Sequence, residues 1–178
     1  IGIKNDRKNI ISVCRFVYQK NIFEIFDIAK NLSSFNFIIL GDGQLFDEAK
    51  IYLKTNKIKN VYLFGKKINV FKYLYESDLF LSTSLYEGHP ISILEAMSIG
   101  LPIVASKVTG NIDTIRNNYS GFLYKLGDIK EAINCIEKIM KDCDLNFKIS
   151  NNSYSSHRKF FSTTKMKKSY ISLYKKYI

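Results

Sequence analysis

The sequence predicts an α/β fold: a Rossmann-like parallel sheet with helices on both faces. Two observations predict it. Short runs rich in β-branched and aromatic residues alternate with segments of helical period, and those runs are apolar on both faces, as strands covered by helices on two sides must be. A third supports them: glycine-bearing turns follow several of the runs, where a strand gives way to a helix.

The first run is IISVC at 10–14. Ile22, Phe23, Phe26, Ala29 and Leu32 then recur at spacings of three and four, which predicts a helix with one apolar stripe. FNFIIL at 35–40 is the second strand, and Gly41-Asp42-Gly43 permits a tight turn with Asp42 capping the helix that follows. VYLF at 61–64, DLFLST at 78–83, PIVAS at 102–106 and GFLY at 121–124 are the remaining strands. Between them, Gly88 and Pro90 exclude helix at Glu87 and favour one just after it, since proline fits a first turn. Gly110 and Asp113 read as a turn followed by a first-turn acid. Ile129, Ala132, Ile133, Ile136, Ile139 and Met140 form a second long helical stripe. Asn146 to Ser156 is polar and rich in Ser and Asn, which predicts a connector, and Met166, Tyr170, Leu173, Tyr174 and Tyr177 make an amphipathic C-terminal helix expected to pack on the domain.

Composition bounds the function. At 178 residues with 46% hydrophobic content the chain holds one core, so 1–144 is expected as one domain and 145–178 as the connector with its basic helix. The net charge is +11, and eight of those charges lie beyond Leu145, where there is no Asp or Glu. That tail fits an anionic membrane surface, whereas no nucleic-acid-binding motif is present. No apolar run approaches the roughly 18 residues a bilayer requires, and no leader pattern opens the chain, which predicts a cytoplasmic protein, peripheral at most to the inner face of the plasma membrane. Cys14, Cys135 and Cys143 have no metal-ligand spacing and are expected as buried free thiols. No metal site or cofactor is expected.

In open α/β sheets ligands bind at strand C-termini, so the chemistry is sought in the loops after the strands. Arg15 and Lys20 follow the first strand and would flank a helix start, which suits a diphosphate; the same pair also fits an ordinary solvated loop. Glu87 is a loop carboxylate after the fourth strand and Glu95 a helical one eight residues on. Carboxylates accept hydrogen bonds from sugar hydroxyls. Ser92-Ile-Leu-Glu95 equally matches a capping box, and His89 reads either as a surface group or as a donor to a phosphate.

Taken in order, these pieces resemble the C-terminal, donor-binding domain of the family 4 retaining glycosyltransferases, one half of a GT-B architecture. The resemblance runs from about Ile10 to Met140. It is carried by Arg15 with Lys20, Gly41-Asp42-Gly43, Phe64-Gly65, the segment Ser77 to Ser84, Glu87 with Glu95, Glu95-Ala96-Met97, Gly100 to Val104, Gly110 and Gly121. The resemblance implies that Arg15 and Lys20 bind the donor diphosphate and stabilise the leaving group, that Glu87 touches the donor sugar and that Glu95 holds the ribose hydroxyls. It also implies that the amides of Gly88, His89 and Ile91 face the phosphates or sugar, and that the segment from Gly65 lies near the base. Cys14 and Asn21 stand where glycine is frequent, and His89-Pro90 where an aromatic and glycine are usual. The implied activity is transfer of a hexosyl group from a UDP- or GDP-sugar to an acceptor hydroxyl with retention, in bacterial polysaccharide or glycolipid synthesis. The acceptor domain of such an enzyme is not in this chain; a preceding segment or a separate chain would supply it. The alternatives are a nucleotide-sugar-binding module without independent activity and a basic domain that associates with membrane surfaces.

Overall fold

The computed structural model describes residues 6–177. Six parallel strands, β1 (Asn9–Val13), β2 (Asn36–Leu40), β3 (Val61–Gly65), β4 (Leu79–Ser82), β5 (Ile103–Ser106) and β6 (Phe122–Tyr124), form one sheet in the order β3-β2-β1-β4-β5-β6. That order reverses direction between β1 and β4, which opens a crevice above their C-terminal ends.

Alternation along each strand divides the core between the two faces. Ile10, Phe37, Ile39 and Leu81 point to one side, where α1 (Ile22–Asn31), α2 (Phe46–Thr55) and α6 (Ile129–Lys141) cover them. Ile11, Ile38, Leu40 and Phe80 point to the other, under α3 (Phe71–Leu74) and α4 (Ile91–Ser98). Of the predicted stripes, Ile22, Phe26 and Ala29 of α1 and Ala132, Ile136, Ile139 and Met140 of α6 are buried, while Phe23, Ile129 and Ile133 are only partly covered; Ile25 and Ile28, outside the predicted stripe, are buried as well. Truncating Phe26, which is fully buried, to alanine is expected to cost about 3–5 kcal/mol. Helix α5 (Asn111–Thr114) is a single turn behind the site.

Beyond α6 the chain departs from the sequence reading. Asn146–Ser156 is not a connector but part of α7 (Cys143–Ser156), whose start is capped by Asp142 accepting from the Leu145 N–H at 2.9 Å. Its polar residues face specific partners: Ser150 Oγ donates to the Gly100 carbonyl at 2.6 Å, and Ser153 Oγ to that of Leu101 at 3.1 Å. Local composition cannot reveal partners some fifty residues away. A π-helical turn, His157–Phe161, then leads to α8 (Thr163–Tyr174). The expected packing of that helix on the domain is absent: none of its residues is buried, and Met166, Tyr170, Leu173 and Tyr174 are all exposed. The thiols also differ from expectation, Cys143 being exposed and Cys14 and Cys135 half-buried. Asp42 does not cap α2; its Oδ1 accepts from the neighbouring Gly43 N–H at 2.8 Å. No helix among the described residues is long and apolar enough to cross a membrane.

Candidate functional site

A cavity of about 540 Å³ occupies the crevice at the reversal point. It runs across the strand ends from β4 to β3, lined in turn by Glu87, His89, Ile91 and Ser92, by Cys14, Arg15 and Lys20, by Gly41 and Asp42, and by Lys66, Lys67 and Val70. The sheet topology thus brings together residues more than fifty positions apart.

At its centre Lys20 Nζ meets Glu87 Oε1 at 2.5 Å, with the two side chains only 16% and 9% exposed. Ser84 Oγ donates to the same carboxylate oxygen at 2.7 Å. No described residue hydrogen-bonds Glu87 Oε2, so one acceptor oxygen remains available to a ligand. Both loops are fastened from behind. Leu85 N–H donates to the Gln19 carbonyl at 2.8 Å, Gln19 Nε2 to that of Tyr86 at 2.9 Å, and Thr83 Oγ1 lies 3.0 Å from the carbonyl oxygens of both Lys20 and Asn21. Ser106 Oγ reaches the Ser84 carbonyl at 2.6 Å. Gly110, at φ +82°, lies directly against the backbone of Glu87, where a side chain would collide with its carbonyl. A lysine and a glutamate fixed this way present charge in a set direction without reorganisation, which is what makes such groups effective on a reacting ligand.

Of the remaining sequence candidates, Arg15, His89 and Ile91 also line the cavity. Arg15 is exposed at the rim, and its guanidinium has no ion pair among the described residues. Helix α4 begins at Ile91 with Pro90 before it. The N–H groups of Gly88, His89 and Ser92 have no acceptor among the described residues, whereas that of Ile91 donates to the His89 carbonyl at 3.0 Å and is thus not free. Unpaired amides at the start of a helix attract anions. His89 is exposed, its ring 6.3 Å from that of Phe161.

Gly65, Gly88 and Glu95 do not line the cavity, although each is next to or within about a turn of residues that do. The capping box is not formed: Pro90 is the cap residue, with no side-chain bond. The Glu95 carboxylate accepts no hydrogen bond from a described residue, and burial pushes its pKa above the ordinary value. A half-buried carboxylate without a partner is costly in the unliganded protein, and a hydroxyl-bearing ligand would relieve that cost. Cys14, on the cavity floor, has its thiol pushed up to about 12 by burial, which Glu87 reinforces and Lys20 only partly offsets. It stays protonated at neutral pH and is a poor nucleophile. Lys66 and Lys67 were not singled out in the sequence; as two lysines after a short strand they carry no signal until the topology places them in the cavity.

A sheet in this order with a cationic crevice at its reversal point defines the class as a Rossmann-like α/β domain with a cleft where ligands of such sheets bind. Residues 1–156 match the family model described as "Glycosyl transferases group 1", and the chain belongs to that family, of GT-B fold. It is 35% identical over 159 residues to the UDP-Gal:alpha-D-GlcNAc-diphosphoundecaprenol alpha-1,3-galactosyltransferase of Escherichia coli, covering 85% of this chain and 41% of that enzyme. It is 30% identical to the capsular polysaccharide biosynthesis glycosyltransferase CapM of Staphylococcus aureus, covering 89% of this chain and 43% of that one. Anabaena HepE, solved in complex with UDP-glucose, superposes with a TM-score of 0.88 at 21% identity, over 96% of this chain and 49% of its own. The chain therefore spans less than half the length of these proteins.

Proposed function

We propose that the cleft binds a UDP- or GDP-sugar and that this chain is the donor-binding half of a retaining hexosyltransferase acting in bacterial polysaccharide or glycolipid synthesis. The observation that carries the reading is the Lys20–Glu87 pair, held by Ser84 and Thr83 within a cleft flanked by Arg15 and the free amides before α4. In this reading Arg15, Lys20 and those amides take the negative charge that develops on the departing diphosphate, a task that in other transferases falls to a metal ion. Glu87 holds the sugar through its unpaired oxygen, and Glu95 the ribose hydroxyls. No cofactor is required. The acceptor hydroxyl approaches from the other half of the enzyme, supplied by an N-terminal domain or by a separate chain, so the 178 residues alone bind donor without transferring sugar.

Family membership and the likeness to enzymes of bacterial glycan assembly support the reaction class. In the complete enzyme, Glu87→Ala, or Arg15→Ala with Lys20→Ala, is expected to lower transfer at least about tenfold, the loss of a single charge-assisted hydrogen bond. Folded variants with unchanged kinetics would remove the assignment.

The exposed apolar stripe and lysines of α8 favour a second role for the tail, peripheral contact with an anionic membrane face on the cytoplasmic side. Nucleic acid is not a proposed partner.

A further inference from the structure

Lys20 owes its direction to a turn held from inside the protein. It ends a short 3₁₀ turn, Tyr18–Lys20, and the next residue, Asn21, has φ 48° and ψ 47°. That left-handed conformation is disfavoured for residues with a side chain, and asparagine tolerates it best after glycine. Asn21 is also bonded: its Nδ2 donates to Glu24 Oε2 at 2.6 Å. Glu24 lies in the first turn of α1 and is only 8% exposed. Its other oxygen accepts from the hydroxyl of Tyr124, 100 residues away on β6 and fully buried, at 2.7 Å.

A buried carboxylate and phenol are expensive groups to place beneath a helix start, and two apolar residues would fill the space at lower cost. Burial pushes the Glu24 carboxyl above its ordinary value even though Tyr124, Asn21 and the Gly127 N–H all favour the ionised form. What the pair provides in return is an anchor on the α1 side of the turn, beside those from Thr83 and Leu85 on the other, since Asn21 is the cap residue and has no side-chain bond to the helix backbone. Resting on the reading of the cleft as a donor-diphosphate site, we infer that Glu24 and Tyr124 are positioning residues: through Asn21 they lock the left-handed turn that sets Lys20 against Glu87. Neither lines the cleft. Thr83, just after β4, completes the clamp, its hydroxyl between the Lys20 and Asn21 carbonyls.

The test separates aiming from mere packing. Glu24→Met with Tyr124→Phe removes both buried polar groups of the network and leaves without their acceptor only the amide of half-buried Asn21 and the N–H of exposed Gly127, so the chain folds. UDP titrated into this double variant by calorimetry is expected to bind about fivefold to tenfold more weakly than to the wild-type chain, with the melting temperature little changed. Asn21→Gly makes the left-handed turn intrinsically accessible. Adding the double change in that background is therefore expected to alter UDP affinity less than twofold. Wild-type affinity in the double variant, or an equal loss in the Asn21→Gly background, overturns the inference.

Should the wild-type chain bind neither UDP nor GDP, the donor reading fails on its own and the positioning is read without nucleotide. Hydrogen exchange of the Asn21 amide, which bonds the Tyr18 carbonyl, and of the Leu85 amide, which bonds that of Gln19, reports the turn directly. Both are expected to exchange at least about tenfold faster in the double variant and to recover in the Asn21→Gly background. Unchanged protection rejects the clamp.

Discussion

Gly110→Ala tests whether the placement of Glu87 is set by the glycine behind it. A methyl group at Gly110 would sit 2.5 Å from the Glu87 carbonyl oxygen, 2.8 Å from its carbon and 2.9 Å from its Cβ. Ordinary contact begins near 3.4 Å, so relief requires the Glu87 loop or α5 to move by about 0.9 Å. The bonds from Lys20 and Ser84 to Glu87 Oε1, at 2.5 and 2.7 Å, would both stretch to or past hydrogen-bonding range. Backbone strain at φ +82° adds about 1–2 kcal/mol and the overpacking about 1–3 kcal/mol. For a domain of this size that predicts a fall in melting temperature of roughly 5–15 °C. A displacement of about 1 Å at a reacting group costs about 100-fold in turnover. Gly100→Ala is the control: it has a similar positive φ, +79°, but meets only Ser150 and Tyr154 at 3.4 Å or more, far from the cleft. Circular dichroism on the chain and transfer kinetics in the complete enzyme should show Gly100→Ala losing stability alone and Gly110→Ala losing both. A folded Gly110→Ala enzyme with turnover within twofold of wild type would show that Gly110 does not set the position of Glu87.

Other outcomes follow from the same geometry. Glu95→Gln removes a carboxylate whose pKa burial raises, so the free chain should melt higher at pH 7, while donor affinity falls by about tenfold or more if the carboxylate holds ribose hydroxyls. Glu24 and Glu95 both have raised folded pKa values. The folded state therefore binds more protons than the unfolded one in the window just above their ordinary value of 4.5, and stability should decline as pH rises through it. Thermal melts of the chain across that window check the sign, and the decline should weaken in Glu95→Gln. For the tail, co-sedimentation with vesicles containing anionic lipid should be strong at low salt and reduced at high salt, and lost when Lys165, Lys167 and Lys168 are changed to glutamine; absence of binding at low salt excludes a membrane role.

The strands were legible because their apolar runs are covered on both faces, so that IISVC, FNFIIL and PIVAS differ sharply from what surrounds them. The helices α1 and α6 were legible because each buries one continuous stripe. Helix α7 was not: only Ile149 and Ser153 of its residues are buried, and its serines are satisfied by the Gly100 and Leu101 carbonyls, which no local window contains. In the site, Arg15, Lys20 and Glu87 could be nominated as strand-end charges, but their relation depended on β1 and β4 lying side by side. Lys66, Lys67, Ser84 and the Glu24–Tyr124 pair acquire meaning only from that same long-range arrangement. The capping box failed for a local reason: Pro90 takes the cap position two residues before Ser92.

The proposed function requires that the cleft at the β1–β4 reversal bind a nucleoside diphosphate through Arg15 and Lys20. Calorimetric titration of UDP and GDP into the chain, beside UMP and beside the Arg15→Ala/Lys20→Ala variant, tests it most directly. One saturable site for at least one diphosphate is expected, with weaker binding of the monophosphate and at least about a tenfold loss in the variant. A folded chain that binds neither diphosphate, or a variant that binds as tightly as wild type, would contradict it.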